Sequence, residues 1–222
     1  MSSGFFVTFE GLDGSGKTTQ LRKLANFLER RGEPVLVTRQ PGGTAIGDRI
    51  RTLLLDSRTD SQGEPMAPLA ELGLMFSDRA QTIDQVIRPA LVAGKIVLCD
   101  RFTDSTEAYQ GGGRNLGSEL VLQMHAVMCG GLQPDLTFLL LPDFDASLAR
   151  ARRRNERNFQ AGKDEGRFER EQEPFYRRVF EKYKEIAARE PNRISVIDGD
   201  AQIQTIHDQI LATLTERFKR QR

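Results

Sequence analysis

Five strand-length apolar runs punctuate the chain: Phe5–Phe9, Pro34–Thr38, Ile96–Cys99, Leu136–Leu141 and Ile194–Ile197. They are nearly continuous rather than alternating, and they favour β-branched and aromatic side chains. That is the pattern of parallel strands buried on both faces. Between the runs the spacing becomes helical. Leu21, Leu24 and Leu28 recur on one face and are closed by Gly32, and Ile203, Ile206, Ile210, Leu214 and Phe218 form a final amphipathic stripe. A further helix begins near Pro68 and is expected to end or kink at Pro89. Strands alternating with helices predict an α/β fold in three layers, α/β/α, around a five-stranded parallel sheet. Without internal repeats or a linker, residues 1–222 read as a single domain. Arg150 to Glu173 departs from the pattern, being highly charged, poor in aliphatics and interrupted by Gly162 and Gly166. This stretch is expected to be a mobile excursion over the surface.

Composition narrows the classes. With 32 basic against 31 acidic residues in a 222-residue chain, there is no excess of positive charge to coat a nucleic acid. No apolar run approaches the length of a membrane span. The N-terminus carries no basic segment followed by a long apolar one. Cys99 and Cys129 read as reduced thiols rather than a disulfide framework. The expectation is a soluble cytoplasmic protein with no nucleic-acid or membrane partner.

Candidate chemistry starts directly after the first run. Gly11-Leu12-Asp13-Gly14-Ser15-Gly16-Lys17-Thr18 matches G-x-x-x-x-G-K-[ST], with a predicted strand before it and a helix after it. Such a loop folds into a nest of backbone N–H groups around phosphate oxygens, and the positive end of the following helix adds to the attraction. Lys17 can reach the outer phosphates, and the Thr18 hydroxyl can ligate Mg²⁺. The chain therefore reads as a binder of a nucleoside triphosphate. Asp13 is harder to place. A carboxylate beside polyphosphate is unfavourable unless it serves a sugar hydroxyl or hydrated Mg²⁺, and a solvated loop residue is an equal alternative.

Other candidates fall at strand ends, where ligands of open parallel sheets lie. Arg39, in Thr38-Arg39-Gln40-Pro41-Gly42-Gly43-Thr44, is placed to hold an anion or else caps a turn. In Leu98-Cys99-Asp100-Arg101-Phe102, Asp100 suits metal-bound water and Arg101 a phosphate, the alternative being a structural ion pair. The triplet Gly111-Gly112-Gly113 either admits close approach to a ligand or is a flexible loop. Arg150, Arg152, Arg153, Arg154 and Arg157 taken alone read as a solvated basic helix.

Together, "FEGLDGSGKTTQ", "TRQPGGT", "DRAQ", "CDRF", "AYQGGGR" and "PDLTFLL" resemble the thymidylate kinase family over essentially the whole chain. The resemblance implies transfer of the ATP γ-phosphoryl group to dTMP, with Mg²⁺, in dTTP synthesis by de novo and salvage routes. It also implies a homodimer. Arg79 corresponds to the arginine that recognises the thymine edge, and Thr106 and Gln110 to polar residues near the pyrimidine. Met75 occupies the position of a stacking phenylalanine, with Phe76 beside it as the other candidate. Gly14 marks the bacterial type, in which arginines of a mobile lid, approximately residues 150–173, supply the charge the loop lacks. Arg150, Arg152 and Arg154 fall on those positions. Lys17, Arg101, Arg152, Arg154 and Asp13 are the expected catalytic group, and Arg150 joins the loop in holding ATP. Two further positions depart from the family pattern: Gln40 stands in place of a glutamate, and Gly166 in place of an aspartate before Arg167. The competing expectations are another P-loop nucleotide or nucleoside kinase, and a regulatory NTPase.

Overall fold

The computed structural model describes residues 4–60, 65–150, 153, 165–168 and 171–221. Five strands form one parallel sheet in the order β2-β3-β1-β4-β5: β1 Phe5–Glu10, β2 Val35–Arg39, β3 Ile96–Asp100, β4 Leu136–Leu140 and β5 Ile194–Ile197. Each lies within a residue of its expected apolar run. The central strands are the most apolar because helices cover both of their faces. Phe5, Val7 and Phe9 point to one side, where Leu21, Leu24 and Leu28 of α1 (Lys17–Arg30) meet Ile206, Ile210 and Leu214 of α9 (Ile203–Gln221). Phe6 points to the other side and joins Leu72, Phe76, Ile87, Val97 and Val121. Those residues come from β3, from α3 (Pro68–Thr82) with the helical turns that follow it, and from α6 (Ser118–Cys129). α2 (Ala45–Leu55) packs against α3, and its N-cap Thr44 accepts a hydrogen bond from Gly47 N at 2.9 Å. This is the expected three-layer α/β/α arrangement.

Three expectations need correction. Pro89 does not end its helix. A π-helical turn over Ile83–Ile87 lets Arg88 N–H reach the Ile83 carbonyl, and the helix resumes as α4 (Arg88–Val92) with Pro89 in its first turn. A proline near a helix start loses no bond, and the wide turn before it supplies such a start.

The glycine triplet is neither a flexible loop nor a ligand cradle. It ends a π-helical segment, Glu107–Gly113, that continues the short α5 (Thr103–Thr106), and all three glycines are buried. A Cβ on Gly112 would lie 2.8 Å from Cβ of Lys182, and one on Gly113 would lie 2.5 Å from the Phe175 ring. Both neighbours belong to α8 (Glu173–Arg189). The triplet lets α8 press on this segment.

Finally, the excursion expected between Arg150 and Glu173 is not free of the core at its far end. Arg167 and Phe168 are buried, Arg167 N donates to the Leu55 carbonyl, and Arg51 pairs with Glu165 at 2.8 Å. At the near end, residues 144–150 are helical (α7), with Phe144 and Leu148 buried in the same cluster as Phe168. Among the described residues no helix is long and apolar enough to cross a membrane.

Candidate active site

Strand β1 ends and α1 begins with the glycine loop between them. Gly11 has φ 131°, and a Cβ there would run into the Leu140 carbonyl oxygen of neighbouring β4, so no other residue fits. Lys17 folds its ammonium back over the loop and donates to the carbonyls of Gly11 at 3.0 Å and Leu12 at 2.8 Å. Leu12 and Ser15 are buried, Asp13 and Gly14 half-buried, and Gly16 and Thr18 exposed at the rim.

Pairing of β1 with β3 sets Phe9 beside Asp100, which brings the second motif to the loop. Thr18 Oγ1 donates to Asp100 Oδ2 at 2.8 Å. A hydroxyl and a carboxylate in contact at a phosphate loop are the hard oxygen donors Mg²⁺ takes, one carboxylate being enough when phosphates complete the shell. The two expected metal ligands therefore fit the ion.

Arg101 follows in the left-handed region, φ 70°, unusual for a residue with a side chain. Its guanidinium reaches back across the loop to the Gly11 carbonyl at 3.1 Å, to Ser105 Oγ at 3.0 Å and to Asp13 at 3.1 Å. The Tyr109 ring lies beneath it, 5.1 Å away. Asp13 is thus not a merely solvated loop residue: it is the counter-ion of Arg101, and Tyr109 Oη also donates to it at 3.4 Å.

Arg79 projects from α3 into the interior and is only 2% exposed. It donates through Nε to Gln40 Oε1 at 2.7 Å, and through NH2 to the Phe102 carbonyl at 3.2 Å and Thr106 Oγ1 at 2.7 Å. Its NH1 is buried without a protein partner. Burial pulls the Arg79 pKa down, so this open donor gains from an acceptor oxygen brought by a ligand. Gln40 stands where family members carry a glutamate, and it meets Arg79 as a neutral acceptor. Phe76 is fully buried beneath the guanidinium, its ring 5.0 Å from Arg79 Cζ, among Leu72, Ile83 and Phe102. It packs in the core cluster on that side of the sheet. Met75 faces the other cluster, with Tyr109 and Phe168. Gln110, one turn beyond Thr106, is also fully buried.

Arg39 is exposed at the end of β2, with Asp48 3.4 Å away. Arg150 pairs with Asp200 at 3.1 Å, on the loop between β5 and α9. Arg152 and Arg154 lie outside the described residues, as does Arg157. His125 is buried against Thr103, its Nδ1 2.9 Å from Oγ1, and burial lowers its pKa to about 4.

Several buried carboxylates escaped the sequence reading. Glu10 closes β1 and is fully buried. It accepts from Phe102 N at 2.7 Å and from Ser105 Oγ, which also meets Tyr183 Oη at 2.8 Å. Burial, with the Asp104 carboxylate nearby, pushes its pKa up to about 7. Glu71 is likewise fully buried and gathers Gln110, Arg114 and Arg167. The available signal was a charged residue closing or interrupting an apolar run. Its partners, far away in the chain, left no local trace.

A parallel α/β/α sheet with a phosphate-binding loop leading into its first helix defines a P-loop kinase fold. The family model for thymidylate kinase matches residues 9–210. The thymidylate kinase of Pelobacter propionicus is 46% identical over 213 residues, which cover 96% of this chain and 94% of that one. That of Geobacter sulfurreducens is 44% identical over 217 residues, 98% and 99% of the two chains. The crystal structure of thymidylate kinase from Ehrlichia chaffeensis superposes with a TM-score of 0.73 at 31% identity, covering 96% of this chain and 99% of that chain. The chain belongs to the thymidylate kinase family.

Proposed function

We propose that the protein transfers the γ-phosphoryl group of ATP to the phosphate of dTMP, giving ADP and dTDP on the way to dTTP by both de novo and salvage routes. The observation that carries the reading is the juxtaposition at the sheet's carboxyl edge. A phosphate loop with Lys17 and the Thr18–Asp100 pair is joined through Arg101 to the helix that bears Thr106 and Gln110. A dTMP phosphate is already an anion, so no general base is required, and neither histidine lies in the loop. Transfer then depends on alignment and charge neutralisation. Lys17, freed from its loop carbonyls, would hold the outer phosphates. Arg101 would bridge donor and acceptor, with Asp13 orienting it. Arg39 would hold the acceptor phosphate, Arg79, Thr106 and Gln110 the pyrimidine edge, and Met75 its face. Thr18 and Asp100 would hold Mg²⁺, which when bound neutralises charge on the phosphate oxygens.

Arg152 and Arg154, with Arg150, keep the role of lid cations on their place in the sequence alone. The enzyme is proposed to act as a single domain, in the cytoplasm and as a homodimer. Steady-state transfer from ATP across a panel of nucleoside monophosphates and nucleosides tests the reading, with dTMP expected as the preferred acceptor. Equal turnover of AMP or CMP would refute it. In the same assay Arg152→Ala should lower kcat roughly 10²-fold, and an unchanged kcat would remove the lid role.

A further inference from the structure

Glu71 lies behind the proposed base-binding residues, and Gln110, Arg114 and Arg167 all donate to it. Gln110 Nε2 reaches its Oε1 at 2.8 Å, and Arg114 Nε the same oxygen at 3.2 Å. Its Oε2 takes Arg114 NH2 at 3.1 Å and Arg167 NH1 at 2.7 Å. The two arginines grip the carboxylate from the Gly113 side and from the 165–168 segment, so it cannot swing away from Gln110. A carboxylate held by two guanidinium groups accepts and does not donate. The amide of Gln110 must therefore point its NH2 at Glu71 and its carbonyl away, an orientation fixed by the network itself. That carbonyl oxygen is buried and meets no protein donor.

One turn back, Thr106 meets Arg79, whose NH1 is buried and meets no protein acceptor. Native interiors rarely leave such groups unpaired, so an open acceptor on Gln110 and an open donor on the arginine held by Thr106 ask for a ligand edge with the opposite pattern. Thymine has that edge: its N3–H donates and the adjacent O4 accepts. Cytosine has the reverse, an unprotonated N3 beside an N4 amine that donates. If the Gln110 amide were turned over, it would present its NH2 and match cytosine's N3 instead.

We propose that Glu71 is a positioning residue that sets base specificity. By accepting from Gln110 Nε2, it locks the amide in the orientation that takes a pyrimidine with a protonated N3 and a carbonyl at position 4, and rejects one with an amine there. The inference rests on the dTMP reading and explains how the chain distinguishes pyrimidines by the hydrogen-bonding pattern at N3 and position 4. Arg114 and Arg167 contribute by anchoring the carboxylate rather than by touching the base.

The test measures kcat/KM for dTMP and for dCMP, with ATP as donor, in the wild type, Glu71→Gln and Glu71→Asp. An amide at position 71 can donate or accept, so either Gln110 orientation finds a partner. A shortened carboxylate keeps its charge for the arginines but falls short of Gln110. Both variants should narrow the dTMP-to-dCMP ratio by about tenfold or more, the scale of one mismatched buried hydrogen bond. A merely structural role lowers both substrates in parallel, so an unchanged ratio in both variants overturns the proposal. The wild type with N3-methyl-dTMP, which lacks the donor, supplies a check that needs no variant to fold. A loss of about 10²-fold or more against dTMP is expected, and equal turnover overturns the Gln110 orientation. A wild type that does not phosphorylate dTMP at all would instead overturn the acceptor assignment on which the inference stands.

Discussion

Glu10 shows how one residue can carry a pH signature for the whole fold. Unfolded, its carboxyl ionises near 4.5; folded, burial and the Asp104 charge move that to about 7. Between those values the folded state keeps a proton that the unfolded state has released. Its contribution to stability is therefore complete below pH 4.5 and is lost as pH rises through 7. Glu10→Gln has no proton to lose. Urea unfolding of both proteins at intervals from pH 5 to 8 should show the wild type losing about 2–3 kcal/mol relative to the variant, at 1.36 kcal/mol per pKa unit. Asp78, raised by burial to about 6, titrates with the same sign in both proteins and cancels in the difference. A constant difference across the range would mean that the Glu10 carboxyl is ionised throughout. At this scale the sequence was partly legible. The loop residues and Thr18–Asp100 follow from local motifs and strand ends. Glu10–Ser105 and Glu71–Arg167 join residues from separate elements, and only the fold creates those pairs.

At the scale of elements, hydrophobic patterning located the strands well because parallel strands covered on both faces are apolar in every position. It failed where one local pattern supports two structures. Three glycines in a row read as a loop or a ligand cradle, yet Gly111-Gly112-Gly113 belong to a helical segment whose missing side chains admit α8. Pro89 read as an end or a kink of its helix, and the helix passes through it to Val92 behind a π-helical turn. The packing account of the triplet predicts graded effects. Gly113→Ala must displace the Phe175 ring, 2.5 Å from the new Cβ, inside a cluster with Tyr109 and Phe168. The Cβ of Gly111→Ala would have the Gly117 carbonyl as its nearest neighbour, at 3.2 Å. Overpacking of the first kind destabilises by about 1–3 kcal/mol, and the second should be milder. Chemical denaturation of the two variants checks the order. A Gly113→Ala protein as stable as the wild type would show that α8 does not depend on the triplet.

At the scale of the whole molecule, the sheet's two faces are not covered alike. α1 and α9 seal one face, while α3, α6 and α8 cover the other with α2 packed outside against α3, and α2, α3 and α6 carry exposed apolar residues: Ile46, Leu53, Leu69, Leu122 and Met128. Scattered exposed leucines are ordinary on a monomer, but exposed apolar side chains on three neighbouring helices would suit a surface covered by a second subunit. In the homodimer proposed above, we place the isologous contact on this layer. Leu69 is 63% exposed and Leu122 37%, so replacing both with aspartate should leave the monomer's core untouched. In a dimer the same change buries four unpaired carboxylates, two from each subunit, which no interface of ordinary size accommodates. Sedimentation of the wild type should give a dimer across the micromolar range, and Leu69→Asp with Leu122→Asp should give a folded monomer by the same measurement and by circular dichroism. A wild type that sediments as a monomer throughout that range refutes the dimer. A double variant that remains dimeric moves the contact to another face.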